Sequence, residues 1–284
     1  MDIVVLGSAN ADLVVAVARR PEAGETVLGS DTTVLPGGKG ANTAVAAARL
    51  GGRVAFLGAV GPDPNGGLLL DSMRAAGVDV SRVRRAKRGT GVAYITVTPD
   101  GENAIVVSPG ANAELTGDDV VLGPARVLVA SLEVPVSVVE YAIALAAADG
   151  VRTVLNLSPA TRVAPATLSI VDTLVVNEHE AAWLLDGPAD PGRLLGLGPR
   201  SVVLTLGARG AVVAERDATV EIAAPKVNAV DTTGAGDAFT GALAVGLAAG
   251  SDLRAAVELA VRVAAVSVTR RGAQPSYPAA AELS

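Results

Sequence analysis

The stretch DTTGAGDAFTGA, Asp231 to Ala242, sets an acidic residue, Asp237, straight after TTGAG and at the head of an apolar run of small residues. Gly234 and Gly236 allow a tight backbone turn, so successive N–H groups of Gly234, Ala235 and Gly236 can converge on one point. A helix beginning there aims the positive end of its dipole at the same point. The chemistry this offers is an anion hole with a base beside it. The dipole would favour the ionised form of Asp237 and make it a weak base, which suffices for phosphoryl transfer, a reaction that needs positioning more than basicity. Read alone, the stretch is also compatible with a capped helix.

Three further clusters carry polar groups at strand ends or helix starts. GGKGAN, Gly37 to Asn42, places Lys39, the Asn42 amide and free backbone N–H groups at a helix start. It is not a P-loop, because Gly40 stands where Ser or Thr should follow the lysine. It suits a polyol, and equally a glycine turn with a solvent lysine. GSANAD, Gly7 to Asp12, follows the first strand without the G-x-G-x-x-G of a dinucleotide site. Asn10 and Asp12 offer hydrogen-bonding groups at the sheet edge where such folds bind ligands, or else form an Asx turn. NEHE, Asn177 to Glu180, reads as a capping box with Asn177 as N-cap and Glu180 three residues on.

The elements that must hold these groups are short Val/Leu/Ile runs at Ile3, Val54, Arg126, Arg152, Thr173 and Ser201. Helical stretches follow most of them: 40–50, 66–76, 137–148, 178–185, 235–249 and 253–269. Continuous apolar strands alternating with helices imply an α/β fold with a mostly parallel central sheet covered by helices on both faces. Residues 13–38 and 91–112 break the pattern, with a TPDGEN hairpin turn in the second. They are expected to form a small antiparallel β lid, with strands from about 11–36 and 91–110, on a single domain spanning 1–284. The Pro/Gly-rich segment 186–199 reads as a surface loop with one short turn.

Composition removes several function classes. The chain has 284 residues, half of them hydrophobic, and Lys plus Arg of 23 against Asp plus Glu of 29 gives a net charge of −6. Nucleic-acid binding, which rests on basic side chains, is a poor fit. The absence of cysteine excludes disulfides and thiol nucleophiles, and one histidine, His179, leaves little room for a His-rich metal site. MDIVVLGSANAD reads as a first strand, not a signal peptide, and apolar stretches such as AFTGALAVGLAAG are shorter than the ~20 residues a bilayer span needs. A soluble, cytoplasmic protein with no membrane partner is expected.

Taken together and in order, VVLGSANAD, PGGKGANTAVAAARLG, GENAIVVSPGAN, VVNEHEA, LTLGARG, DTTGAGDAFTGAL and VTRRGAQPSYP resemble the ribokinase family, within the superfamily of carbohydrate and nucleoside kinases. The resemblance covers nearly the whole chain. It implies an ATP-dependent sugar kinase, most closely one for D-ribose, with fructose, another furanose or a nucleoside as the alternative acceptor. A non-catalytic sugar-binding protein on the same fold is the rival from another class, which intact GAGD and NEHE argue against. The resemblance implies that Asp237 takes the proton of the primary hydroxyl beside the 234–236 amides. Asn10, Asp12, Gly38, Lys39 and Asn42 would hold the sugar hydroxyls, with Glu133 closing the site. Asn177 and Glu180 would organise Mg2+ and phosphate through water, and Thr205, Gly207 and Gly210 would lie along the nucleotide. Asp231, Thr233, Ser267, Arg270, Gly272 and Ser276 match loops that hold a monovalent cation, K+. Carbonyls left unpaired where the 253–269 helix ends at Gly272 and Pro275 would suit that ion, although an arginine of Arg270–Arg271 could fill the place instead. With two Phe and one Trp, an aliphatic adenine slot is expected. The segment 186–199 is shorter than the helical insertion usual in the family, and relatives often add a helix after SYPAAAELS. A homodimer through the lid is implied.

Overall fold

The structure, a computed structural model, describes residues 1–283. In chain order the strands and helices are β1 Ile3–Leu6, β2 Asn10–Ala16, β3 Thr33–Gly37, α1 Lys39–Arg49, β4 Val54–Leu57, β5 Ala59–Val60, α2 Pro64–Ala75, β6 Arg84–Arg85, β7 Gly91–Val97 and β8 Asn103–Ser108. There follow β9 Val127–Ser131, α3 Val136–Ala148, β10 Arg152–Asn156, α4 Pro165–Leu168, β11 Thr173–Asn177, α5 Glu178–Leu185, α6 Pro191–Leu195, β12 Ser201–Thr205, β13 Ala211–Glu215, β14 Ala218–Ile222, α7 Ala235–Ala248 and α8 Leu253–Ser267.

The apolar runs form one eight-stranded sheet in the order β14-β13-β12-β11-β10-β9-β1-β4. The strands from β12 to β4 are parallel, and β13 and β14 form an antiparallel edge. Because side chains alternate across a strand, β1 feeds two cores. Ile3 and Val5 pack with residues of α1, α2, α7 and α8 on one face. Val4 and Leu6 pack with residues of α3, α4, α5 and α6 on the other. The parallel strands therefore end together at one sheet edge, where their loops meet.

One close approach matters for the site. Helices α1 and α7 cross with Gly241 against Thr43, and a Cβ there would stand 2.8 Å from the Thr43 carbonyl oxygen. Only glycine lets the two backbones come so near. That crossing brings Asn42 of α1 to Asp237 of α7.

A second, four-stranded sheet, β3-β2-β7-β8, stands apart from the first. Its outer pairs are antiparallel and its central pair, β2 with β7, is parallel. Strand β2 starts at Asn10 and β3 ends at Gly37, so this lid grows directly out of the polar clusters of the site.

Several local expectations are corrected. The run from Val54 breaks at Gly58, and β5 leaves the main sheet to pair with β6. Within the expected lid segment 11–36, the second strand begins only at Thr33, where its continuous register with β2 starts at Val14. Before it, Gly29 makes an isolated bridge to Val17 and Leu28 is 92% exposed. The β13–β14 hairpin was not anticipated, since its turn at Arg216–Asp217 carries none of the Asn-Gly or Asp-Gly signals that mark such turns. Within 186–199 the short turn is α6, which buries Leu194.

Candidate active site

The N-cap of helix α7 is Gly234, whose φ of 72° is left-handed and favours glycine. A Cβ there would meet the Tyr277 hydroxyl and Ala273. Instead, the buried Tyr277 hydroxyl donates to the Gly234 carbonyl at 3.1 Å and fixes the turn. Of the three amides expected to form an anion hole, that of Ala235 donates to the Thr232 carbonyl at a long 3.2 Å. Gly234, Ala235 and Gly236 all line a cavity of about 450 Å3 together with Asp237 and Lys39. A Cβ at Gly236 would meet nothing within 4 Å, so the space in front of it is open.

Asp237 is buried, and its Oδ2 accepts from Asn42 Nδ2 at 2.9 Å. Burial pushes its carboxyl up to about 6, against the pull of the Lys39 charge and the Asn42 bond and with Glu133 and Glu180 adding to the rise. This corrects the expectation that the helix dipole keeps Asp237 readily ionised. Removal from water outweighs a half-charge at a helix end, and several carboxylates share one lysine. The result is a base whose pKa lies just below neutrality, better suited to accept a proton than an ordinary aspartate.

The sugar-side residues converge on Glu133, in the loop after β9. Its Oε2 accepts from the Ser8 hydroxyl, from Asn10 Nδ2 at 3.3 Å and from the Lys39 backbone N–H at 3.3 Å. Gly38, the N-cap of α1, has no side chain to offer, so Glu133 caps that helix from another element. Asn10 Oδ1 accepts from Asn112 Nδ2 at 2.7 Å, and Asn112 Oδ1 accepts from the Ala9 N–H at 3.0 Å. Asp12 packs against Gly37. Burial, with the charges of Glu133 and Asp237, pushes it up to about 7 although Lys39 opposes. Burial works against the charge on Lys39, yet Asp237, Glu133, Glu180 and Asp12 together hold its pKa above the usual lysine value. Asn10, Asp12, Gly38, Lys39, Asn42, Glu133 and Asp237 thus form one polar cluster on four different elements.

On the far side of Gly236 lies a second cavity of about 380 Å3, walled by aliphatic groups such as Val227, Val261 and Val268, with Phe239 as its one aromatic ring. The two cavities share Thr205, Gly207, Thr232, Ala235 and Gly236. Gly210 lines only the second. Asn177 and Glu180 face the first and form the capping box the sequence suggested: the Glu180 N–H donates to Asn177 Oδ1 and the Asn177 N–H to Glu180 Oε2, both at 2.8 Å. Glu180 is nonetheless buried among charged neighbours, where a plain helix cap would sit in solvent. Its oxygens suit Mg2+, which takes one or two carboxylates and completes its shell with water and phosphate.

The two loops matched to a monovalent cation do meet. Asp231 Oδ1 accepts from the Thr233 N–H at 2.9 Å and hydroxyl at 2.6 Å, and Oδ2 accepts from the Gly272 N–H at 2.8 Å. These bonds hold Asp231 below its usual value although burial opposes, with the Arg271 charge adding to the fall. The Ser267 and Ser276 hydroxyls donate to the carbonyls of Ala264 and Ala273. Arg270 turns away to Glu282, so its guanidinium does not fill the space between the loops. The carbonyls of Val266, Ser267 and Val268 at the end of α8 accept from the N–H groups of Thr269, Arg270 and Val230, so the unpaired carbonyls expected there are not found at these positions, and the Asp231 carboxylate is the group these loops offer to a cation such as K+.

Residues that sequence reasoning left without a role are Ser8, Asn112, Gln274 and Tyr277. Asn112 and Gln274 close the SPGAN and RRGAQ stretches. Their signal was an amide at a turn, indistinguishable from loop polarity until the partner is known.

The pfkB family carbohydrate kinase model matches residues 1–280. The ribokinase of Schizosaccharomyces pombe is 39% identical over 307 aligned positions, covering 100% of this chain and 96% of the relative. The deoxyribokinase of Salmonella typhi is 36% identical, covering 98% and 96%. Among solved structures, Arabidopsis thaliana ribokinase complexed with ribose and ATP superposes with a TM-score of 0.92 at 30% identity, covering 99% of this chain and 97% of that one.

Proposed function

The chain belongs to the pfkB family of carbohydrate kinases and is an ATP-dependent sugar phosphotransferase, and from that premise we propose that its acceptor is the primary hydroxyl of D-ribose. One observation carries the reading. A buried carboxylate, Asp237, stands where the polar cluster of Asn10, Asp12, Lys39, Asn42 and Glu133 meets the amides at the start of α7. A hydroxyl held by that cluster lies beside both a base and an anion hole.

In this reading Asp12, Asn10 and Lys39 bind the ring hydroxyls, and the Glu133 network sets their directions. Asp237 accepts the proton as the hydroxyl attacks. The Gly234 and Gly236 amides take the charge of the transferring phosphoryl group, the Ala235 amide being engaged by the Thr232 carbonyl. Thr205, Gly207 and the aliphatic cavity with Gly210 seat the nucleotide. Asn177 and Glu180 would hold Mg2+ through water, and the ion would supply neutralisation of phosphate charge. Asp231, Thr233 and the 267–276 loop would hold K+ behind the anion hole.

Asp12 bears on the choice of sugar. A site built around a half-buried carboxylate that gains hydroxyl donors only from substrate discriminates against an acceptor lacking one. ADP release measured over D-ribose, 2-deoxy-D-ribose, D-fructose and adenosine tests the assignment. D-ribose should give the highest kcat/KM. A higher value for the deoxy sugar or a nucleoside would replace ribose as the acceptor.

A further inference from the structure

Three hydrogen bonds lead away from the base, through Asn42 of the sugar cluster, to Gln274 and Ser72, which have no contact with sugar or phosphate in the reading above. Asp237 Oδ2 accepts from Asn42 Nδ2 at 2.9 Å. Asn42 Oδ1 accepts from Gln274 Nε2 at 3.0 Å. Gln274 Oε1 accepts from the Ser72 hydroxyl at 2.6 Å. Asn42, Gln274 and Asp237 are all buried, Gln274 with 2% of its surface exposed. The chain joins α7, α1, the segment after α8 and α2.

An amide can be turned end for end with almost no change of shape, and the two ends differ only in what they donate or accept. If the Asn42 amide reversed, its oxygen would face Asp237, and a carboxylate would lose a donor and meet a lone pair. Two groups set the orientation: Asp237, which when ionised can only accept, and Gln274, which presents an NH2 on the other side, so the Asn42 oxygen faces Gln274 and the Asn42 NH2 faces the base.

Gln274 is held to this task by its own segment. The Gly272 N–H is bound to Asp231, the Tyr277 hydroxyl to the Gly234 carbonyl, and Arg49 of α1 donates to the Tyr277 carbonyl at 2.9 Å. The segment that follows α8 is therefore stitched to α1 and to both sides of the α7 turn.

We propose that Gln274 is a positioning residue for phosphoryl transfer: it fixes the Asn42 amide with its NH2 toward Asp237, and Ser72 completes the relay that keeps the base in its ionised form. The proposal rests on the assignment of Asp237 as base. Its consequence appears in the pH profile. The charged or titratable groups facing Asp237 are Lys39 on α1, Glu133 after β9, Glu180 on α5, Asp12 on β2 and Tyr277 in the C-terminal segment. Gln274→Met leaves all of them in place and removes only the NH2 that orients Asn42. Gln274→Glu is close in shape and, when ionised, can only accept, so it favours the reversed amide and adds a negative charge near the base.

The test is kcat/KM for D-ribose against pH, at saturating ATP and Mg2+, for the wild type, Gln274→Met, Gln274→Glu, Ser72→Ala and Asp237→Asn. A hydrogen bond to a charged group is worth about one pH unit or more in the pKa it sets. The acid limb should move up by about one unit in Gln274→Met and further in Gln274→Glu, with activity recovering at high pH. Asp12 titrates in the same range, but its contribution is common to every variant, so the shift is read as a difference. A merely structural role would lower activity by the same factor at every pH and leave the limb in place. That result overturns the proposal. Should the Gln274 variants melt below the assay temperature, Ser72→Ala decides: an upward shift supports the relay and an unmoved limb rejects it. If Asp237→Asn keeps wild-type turnover, the base reading and the relay both fall. If it loses turnover while the limb stays put in the other variants, the relay alone fails.

Discussion

Asp12 and Asp237 are carboxylic acids in a place that disfavours carboxylates. Asp237 is buried and Asp12 half-buried, and Lys39 cannot neutralise them, Glu133 and Glu180 together. The cost can be read as stability. A carboxyl whose pKa is raised on folding destabilises the native state above that pKa, and the penalty vanishes below the unfolded value. For Asp12 the window runs from its ordinary 3.8 up to about 7. Asp12→Asn should therefore raise the melting temperature of the ligand-free protein at pH 8, by roughly 2–5 °C for a chain this size, with no gain near pH 4. The same substitution should weaken ribose binding, since the site's stability is traded for function. Thermal melts at the two pH values check this, and a lower melting point at pH 8 would contradict it. The residue types of the site were legible in the sequence because DTTGAGD, GGKGAN and GSANAD are local patterns. The protonation of Asp237 was not, because its burial is created by α1, α5 and the loop after β9.

The lid is an element whose outer face lacks a partner. Strand β8 is exposed along its whole length, with Val106 at 69% and Ile105 at 52%, and Tyr94 of β7 joins them at 53%. An apolar, unpaired edge strand is a hazard that proteins cover. We propose the lid of a second copy as its cover, since each copy carries the same uncovered face. Light scattering at micromolar concentration should give a dimer, and Val106→Asp should give a monomer with the fold intact. A monomeric wild type would reject the lid interface. Element boundaries were legible where caps are strong, as at Asn177 and Gly234. They failed where a strand end depends on its neighbour, as at Thr33 or Gly58, or where a turn lacks glycine, as at Arg216–Asp217.

At the scale of the molecule, the parallel sheet and the lid meet in one cluster because β1 ends at Leu6 and β2 starts at Asn10, and because α1 and α7 touch through Gly241. The order of strands and helices was readable as an alternating pattern. The relay was not, because Ser72 and Gln274 lie 202 residues apart and only the fold makes them neighbours. Described residues form no helix long and apolar enough to cross a membrane. The central claim is that Asp237 is the base of an ATP-dependent ribose kinase, and one paired measurement addresses it: kcat for ADP release on D-ribose, with ribose affinity by calorimetry, for the wild type and Asp237→Asn. The account predicts that Asp237→Asn retains ribose binding within a few-fold and loses about 10²–10⁴ in kcat, the range for removing a positioned base. Turnover by Asp237→Asn close to that of the wild type would contradict it.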